Sequence, residues 1–211
     1  MSQSRAAIIL AAGQGTRMKS ALAKPLHAVG GRAMLDWTLD LAAKSGVGET
    51  VVVWGAHSPA VKECAQGAGA KTALQDPPQG TGHAVGCAKN ALDRFEGHAV
   101  VLYGDTPLIR PETVESVFAA LDEGATVAVL GFEADDPTGY GRLIETGDGE
   151  LQAIVEHKEA SEDQRAIRLV NSGVLAAPAG LLFDLLSEVT NDNAKGEYYL
   201  TDIVETARAR G

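Results

Sequence analysis

Unbroken apolar runs of strand length set the tightest limit on how this chain folds. Residues 6–10 (AAIIL), 50–54 (TVVVW) and 99–103 (AVVLY) carry almost no polar side chain on either side. A strand that is apolar on both sides must be covered on both faces, which a parallel sheet between two helix layers achieves. The segments between the runs have helical spacing. Residues 34–43 put Leu35, Leu39 and Ala42 or Ala43 on one face, and 59–65, 82–92 and 111–121 read as further helices, the last opened by Pro111. Residues 70–74 and 126–132 read as strands. The resulting β-α-β-α rhythm predicts an α/β protein with a mostly parallel sheet sandwiched by helices.

The later part changes character. Residues 142–145 and 151–155 flank Gly147-Asp148-Gly149, which predicts a β-hairpin. A strand over 169–176, a helix over 179–188 and a terminal helix over 201–209 follow. No repeat, linker or low-complexity segment divides the chain, so one domain over 1–211 is expected.

Charge and cysteine content exclude several classes. The net charge of −10 argues against a broad surface for nucleic acid or anionic lipid. An anionic small substrate would need a local island of cations. No apolar stretch approaches the roughly 18 residues of a membrane span, and residues 1–5 lack the apolar run of a signal peptide. Cys64 and Cys87 form no CxxC pair and read as buried small hydrophobes in a reducing cytosol. His27, His57, His98 and His157 show no metal-ligand spacing, and His83 reads as a packing residue at a helix start. There is no Gly-x-Ser-x-Gly elbow and no evident Cys–His pairing, so no covalent nucleophile is expected.

The chemistry concentrates in Leu10-Ala11-Ala12-Gly13-Gln14-Gly15-Thr16-Arg17-Met18, followed by Lys24-Pro25-Leu26. A strand ends there and a small-residue loop begins. Gly13 and Gly15 let backbone N–H groups approach a phosphate, and Arg17 and Lys24 can neutralise a triphosphate. No Lys-Ser/Thr follows the spaced glycines, so this is not a P-loop. The third glycine of the dinucleotide fingerprint is also missing. Asp105 stands just past the end of the 99–103 run, where ligands bind in open α/β sheets, and a carboxylate there suits Mg²⁺.

This loop resembles the signature of the sugar nucleotidyltransferase superfamily, and the likeness continues through the chain. The blocks 75–84, 103–108, 139–142, 156–158, 171–173 and 196–202 follow in order. Together they resemble the uridyltransferase domain of the bacterial bifunctional N-acetylglucosamine-1-phosphate uridyltransferase/glucosamine-1-phosphate acetyltransferase family. The resemblance implies a Rossmann-like fold of the nucleotide-diphospho-sugar transferase type with a small sugar-binding β lobe. It also implies a cytoplasmic, Mg²⁺-dependent enzyme that joins UTP to N-acetylglucosamine-1-phosphate for cell-envelope precursor synthesis.

By the same resemblance Arg17 and Lys24 are catalytic and Asp105 holds Mg²⁺. Leu10, Ala11, Ala12, Gly13, Gln75, Gly80 and Thr81 bind the nucleotide, Gln75 by pairing its amide with the base edge. Tyr103, Gly104, Gly141, Glu156, Asn171 and Thr201 bind the sugar. Thr201 reads equally well, with Asp202, as a helix N-cap.

Two departures from the family stand out. The hexapeptide repeats of its acetyltransferase β-helix are absent, so that activity is not expected here. The family's second Mg²⁺ ligand, an Asn beyond the block at 196–202, has no counterpart before Gly211. Two alternatives therefore stay open: a related enzyme using another nucleotide or sugar phosphate, and a catalytically weak UDP-sugar binder. Oligomeric state is not legible.

Overall fold

The structure is a computed structural model that describes residues 3–210; Met1, Ser2 and Gly211, at the ends of the expected domain, lie outside the described residues. In chain order its elements are β1 (Arg5–Ala11), β2 (Ala28–Val29), β3 (Arg32–Ala33), α1 (Met34–Lys44), β4 (Glu49–Gly55), α2 (Pro59–Gly67), β5 (Lys71–Gln75) and α3 (Thr81–Cys87). Then come β6 (His98–Tyr103), α4 (Pro111–Asp122), β7 (Ala128–Glu133), β8 (Arg142–Glu145), β9 (Leu151–Val155), α5 (Glu162–Ala166), β10 (Leu169–Pro178), α6 (Ala179–Leu186) and α7 (Ile203–Arg210).

Eight strands form the main sheet, with β5, β4, β1 and β6 parallel and side by side. The expected parallel α/β sandwich is what the chain forms. Alternate residues of β1 enter opposite cores. Ala6, Ile8 and Leu10 pack with Val85, Leu182 and Ile203 of α3, α6 and α7. Ala7, Ile9 and Ala11 pack with Leu35, Val61 and Phe118 of α1, α2 and α4. That double burial is why the sequence shows a continuous apolar run instead of an alternating one.

Beyond β6 the sheet becomes antiparallel. The C-terminal half of β10 pairs with β6, and its N-terminal half pairs with β8 through Val170 and Arg142. A register shift between Asn171 and Leu175 marks the passage. β8 and β9 form the expected hairpin around the Gly147–Gly149 turn. The crevice thus opens at the carboxyl ends of the adjacent strands β1 and β6, where the chain connections lead to opposite sides. From β1 the chain steps through β4 to β5 on one side, then returns to β6 on the other, and such a reversal leaves a groove at the strand ends.

Local details differ from the sequence reading. The helix expected over 82–92 breaks: α3 ends at Cys87 and a 3-10 turn covers Lys89–Leu92. The terminal helix starts at Ile203, after a 3-10 turn at Leu200–Asp202. The β2–β3 pair is too short for periodicity to reveal; the Trp37 indole holds it by donating to the Val29 carbonyl at 2.9 Å. α5 carries a capping box between Ser161 and Gln164, a signal present in the sequence and not used. Both cysteines are half-buried rather than buried.

Candidate active site

The loop after β1 builds the floor of a cavity of about 700 Å³ at the carboxyl ends of β1, β5 and β6. Gly13 is exposed, and a Cβ placed on it would meet nothing within 4 Å, so its bare backbone faces open space. Gly15 is different. Its φ is +58°, and a Cβ there would stand 2.8 Å from the Lys24 Cβ. The absent side chain lets Lys24 cross the loop and aim its amine inward. Lys24 Nζ donates to Asp105 Oδ2 at 2.5 Å, with both side chains partly exposed. Arg17 lies exposed on the 3-10 turn Thr16–Met18 and lines the same cavity.

Leu10, Ala11 and Ala12 also line the cavity. On its far wall stand Gln75, at the end of β5, and the Gly80–Thr81 turn that opens α3. Gln75 is buried and donates from Nε2 to the Gly80 carbonyl at 2.9 Å. The same nitrogen faces His83 Nδ1 at 3.3 Å, so the amide is held from its nitrogen side, which fixes how it presents its oxygen. The turn is held by a segment nothing in the sequence had tied to it. Tyr198 donates its N–H to the Gln79 carbonyl and accepts from the Gly82 N–H, both at 2.8 Å. The Leu200 N–H donates to Thr81 Oγ1 at 3.0 Å. Glu197, to which the sequence reading gave no role, enters the cavity beside them.

Tyr103 closes the cavity toward the hairpin. Burial first, then the charges of Glu156 and Asp105, push its phenol up to about 12. Its ring rests on Gly173, where a Cβ would stand 2.7 Å from the ring edge. Beyond it, Gly141, Glu156 and Asn171 come together: a Cβ on Gly141 would lie 3.5 Å from Glu156 Oε1 and 3.8 Å from the Asn171 Cβ. Asn171 Oδ1 accepts from the Gly173 N–H at 2.9 Å, which leaves its amide N–H groups for a ligand. Glu156 is partly buried, and burial raises its carboxyl against the opposing pull of Lys195. Gly104 lies apart from this group. It is buried against Ala11 and Leu35, with its N–H given to the Leu10 carbonyl at 3.0 Å.

Thr201 lies in the 3-10 turn before α7, where its hydroxyl donates to Asp202 Oδ1 at 3.5 Å. Asp202 is pushed up to about 6, by burial first and then by Glu205, Glu159 and Glu156, against the Thr201 hydrogen bond. The folded protein therefore binds this proton more tightly than the unfolded chain, where the value is the ordinary 3.8. The stability this group contributes is present below about pH 4 and lost as pH rises through about 6. Urea titrations of Asp202→Asn should show a shallower fall in stability between those values and a more stable protein at neutral pH. A slope equal to that of the parent would refute the assignment.

The cysteines offer no nucleophile. Cys87 Sγ is 3.6 Å from His83 Nε2, a contact the sequence reading missed, but burial raises the thiol instead of activating it. Burial first, then the hydrogen bond to and the charge of Asp36, push the Cys64 thiol up to about 11. Among the described residues no group of three or more His, Cys, Asp or Glu side chains could hold a metal by itself. Asp105, which lines the cavity together with Glu197, Lys24 and Arg17, could give a Mg²⁺ one oxygen ligand, the rest coming from phosphates and water.

A glycine-rich loop, a lysine–aspartate pair and a buried amide thus meet at the carboxyl ends of the parallel strands, the place where open α/β sheets bind ligands. Comparison with known proteins specifies the class. The chain belongs to the MobA-like NTP transferase domain family, which matches residues 7–183, and is a nucleotidyltransferase domain. It is 66% identical to the bifunctional protein GlmU of Maricaulis maris over 210 residues, covering 100% of this chain and 46% of that protein. GlmU of Caulobacter vibrioides is 54% identical over 209 residues, covering 98% of this chain and 45% of that protein. The chain thus spans about half the length of the curated relatives it matches. Its fold is that of a UDP-glucose pyrophosphorylase solved with UDP-glucose, with a TM-score of 0.79, 17% identity, and coverage of 99% of this chain and 88% of that one. Among the described residues no helix is long and apolar enough to cross a membrane.

Proposed function

We propose that this domain transfers uridylyl from UTP to N-acetylglucosamine-1-phosphate, releasing pyrophosphate and UDP-N-acetylglucosamine for cell-envelope precursor synthesis in the cytoplasm. The observation that carries the reading is the Lys24–Asp105 pair, at 2.5 Å, which lines a nucleotide-sized cavity together with Arg17, Gln75 and the Gly80–Thr81 turn. Positive charge therefore sits on the wall of that cavity, where a phosphoryl group would change hands. The identity to GlmU proteins over the whole chain supports the choice of substrates.

In this reaction an oxygen of the sugar phosphate forms a bond to the α-phosphorus of UTP as the bond to the bridging oxygen breaks. The leaving pyrophosphate takes that electron pair. The attacking oxygen is already ionised at neutral pH, so no side chain need remove a proton. Positioning and electrostatics supply most of the catalysis. Lys24 and Arg17 place positive charge against the triphosphate, and the N–H groups around Gly13 add oriented dipoles. Gln75 meets the base, while Asn171 donates to a sugar oxygen and Glu156 accepts from hydroxyls. Mg²⁺, held by Asp105 and substrate oxygens, would supply neutralisation of the phosphate charge.

A panel of the four nucleoside triphosphates against several sugar-1-phosphates, read by pyrophosphate release, tests the proposal. UTP with N-acetylglucosamine-1-phosphate should give the largest kcat/KM, ahead of other pairs by at least about tenfold. A different preferred pair would reassign the substrate. Tight UDP-sugar binding without turnover at saturating Mg²⁺ would make the domain a binder.

A further inference from the structure

Arg142, the first residue of β8, is 1% exposed, yet no carboxylate among the described residues pairs with it. Burying a guanidinium without a counter-charge is costly. Asp136 feels its charge without forming an ion pair with it, and uncharged acceptors take its hydrogen bonds. Nη1 donates to the Tyr140 carbonyl. Nη2 donates to the Arg165 carbonyl at 3.3 Å and faces His157 Nδ1 at 3.2 Å, while Nε has no partner among the described residues. A guanidinium can only donate, so the His157 nitrogen turned toward it must offer its lone pair.

These acceptors come from three separate segments: the loop before β8, the turn after β9 and the end of α5. Two of them adjoin the sugar-side cluster. Tyr140 precedes Gly141, and His157 follows Glu156. The backbone continues the same tie. Arg142 pairs with Val155 on β9, and the Asn171 N–H donates to the Gly141 carbonyl at 2.9 Å. An apolar side chain of similar volume would fill this space at lower cost. The charge is retained where it locks one loop to another.

We infer that Arg142 is a positioning residue for the sugar-phosphate subsite, its guanidinium fixing Gly141 and Glu156 relative to each other, with His157 as the neutral acceptor that completes the clamp. The inference rests on the proposed function, since it assigns those residues to the sugar. Geometry lost at the clamp moves the sugar-side groups and leaves Gln75, Gly80 and Thr81 in place. The consequence is therefore selective for one substrate, which a general loss of packing is not.

Steady-state kinetics on three variants test it. Arg142→Lys keeps the charge but loses the fork. It should raise KM for N-acetylglucosamine-1-phosphate about tenfold and leave KM for UTP within about twofold. His157→Leu removes the acceptor and should raise the same constant about threefold, whereas His157→Asn, whose Oδ1 can take the place of Nδ1, should restore it. Equal rises in both constants, or an unchanged sugar-phosphate constant, would overturn the inference. If circular dichroism shows Arg142→Lys unfolded, the His157 pair decides by the same criterion. A parent protein that rejects N-acetylglucosamine-1-phosphate refutes the substrate reading alone, and the KM split is then read with the sugar phosphate it accepts. In the absence of any turnover, calorimetric affinities for UTP and UDP-N-acetylglucosamine read the same split.

Discussion

Lys24→Ala should lower kcat by about a hundredfold to a thousandfold while leaving the fold intact. Only the amine and its stem are removed. The alanine keeps the Cβ that faces Gly15, and Pro25 still sets the 3-10 turn Lys24–Leu26. In the parent, Lys24 donates to Asp105 with 40% of its side chain exposed. A pair so open to water contributes about 0.2–1 kcal/mol to stability, so the melting temperature should barely move. Catalysis depends on the same charge far more, because phosphates carry it into a cavity where water no longer screens the interaction. Single-turnover rates, with circular dichroism as the control, measure the effect. A rate within threefold of the parent, or a rate loss matched by unfolding, would remove Lys24 from the catalytic machinery.

Gly80→Ala should cost about 2–4 kcal/mol of stability and raise KM for the nucleotide. A Cβ at this position would stand 2.4 Å from the Tyr198 carbonyl oxygen and 2.9 Å from its nitrogen, and φ is +105°. Both obstacles are backbone, which cannot swing aside as a side-chain tip can. Relief requires the segment around Tyr198 to withdraw. That would break its hydrogen bonds to Gln79 and Gly82 and the one from Leu200 to Thr81. Gln75 is anchored on the Gly80 carbonyl, so its amide would lose its orientation as the turn moves. Gly13→Ala makes the contrasting case. A Cβ there meets no protein atom, so denaturation should match the parent even if nucleotide binding weakens. Urea denaturation of the two variants separates the effects. A Gly80→Ala midpoint equal to that of the parent would show that the close approach is not retained in solution.

The chain's local chemistry determined much of this by itself. Apolar runs at 6–10, 50–54 and 99–103 became β1, β4 and β6, because a strand buried on both faces has no polar side to show. The Gly147–Gly149 turn predicted its hairpin, since turn and strand preferences act between neighbours in sequence. The glycines and cations of the loop at 10–18 marked one wall of the cavity, and the ordered blocks led to the nucleotidyltransferase assignment that the family match establishes. Other features were decided only when the chain folded. Lys24 meets Asp105 across 81 positions, and Leu200 meets Thr81 across 119. No local pattern encodes such partners, because they are brought together by the return of the sheet from β5 to β6 and by the path of the C-terminal segment over α3. The same holds for Arg142. Sequence marks it as one more arginine after a glycine, and its burial without an ion pair arises only when the turn after β9 and the end of α5 bring their acceptors to join the neighbouring Tyr140 carbonyl.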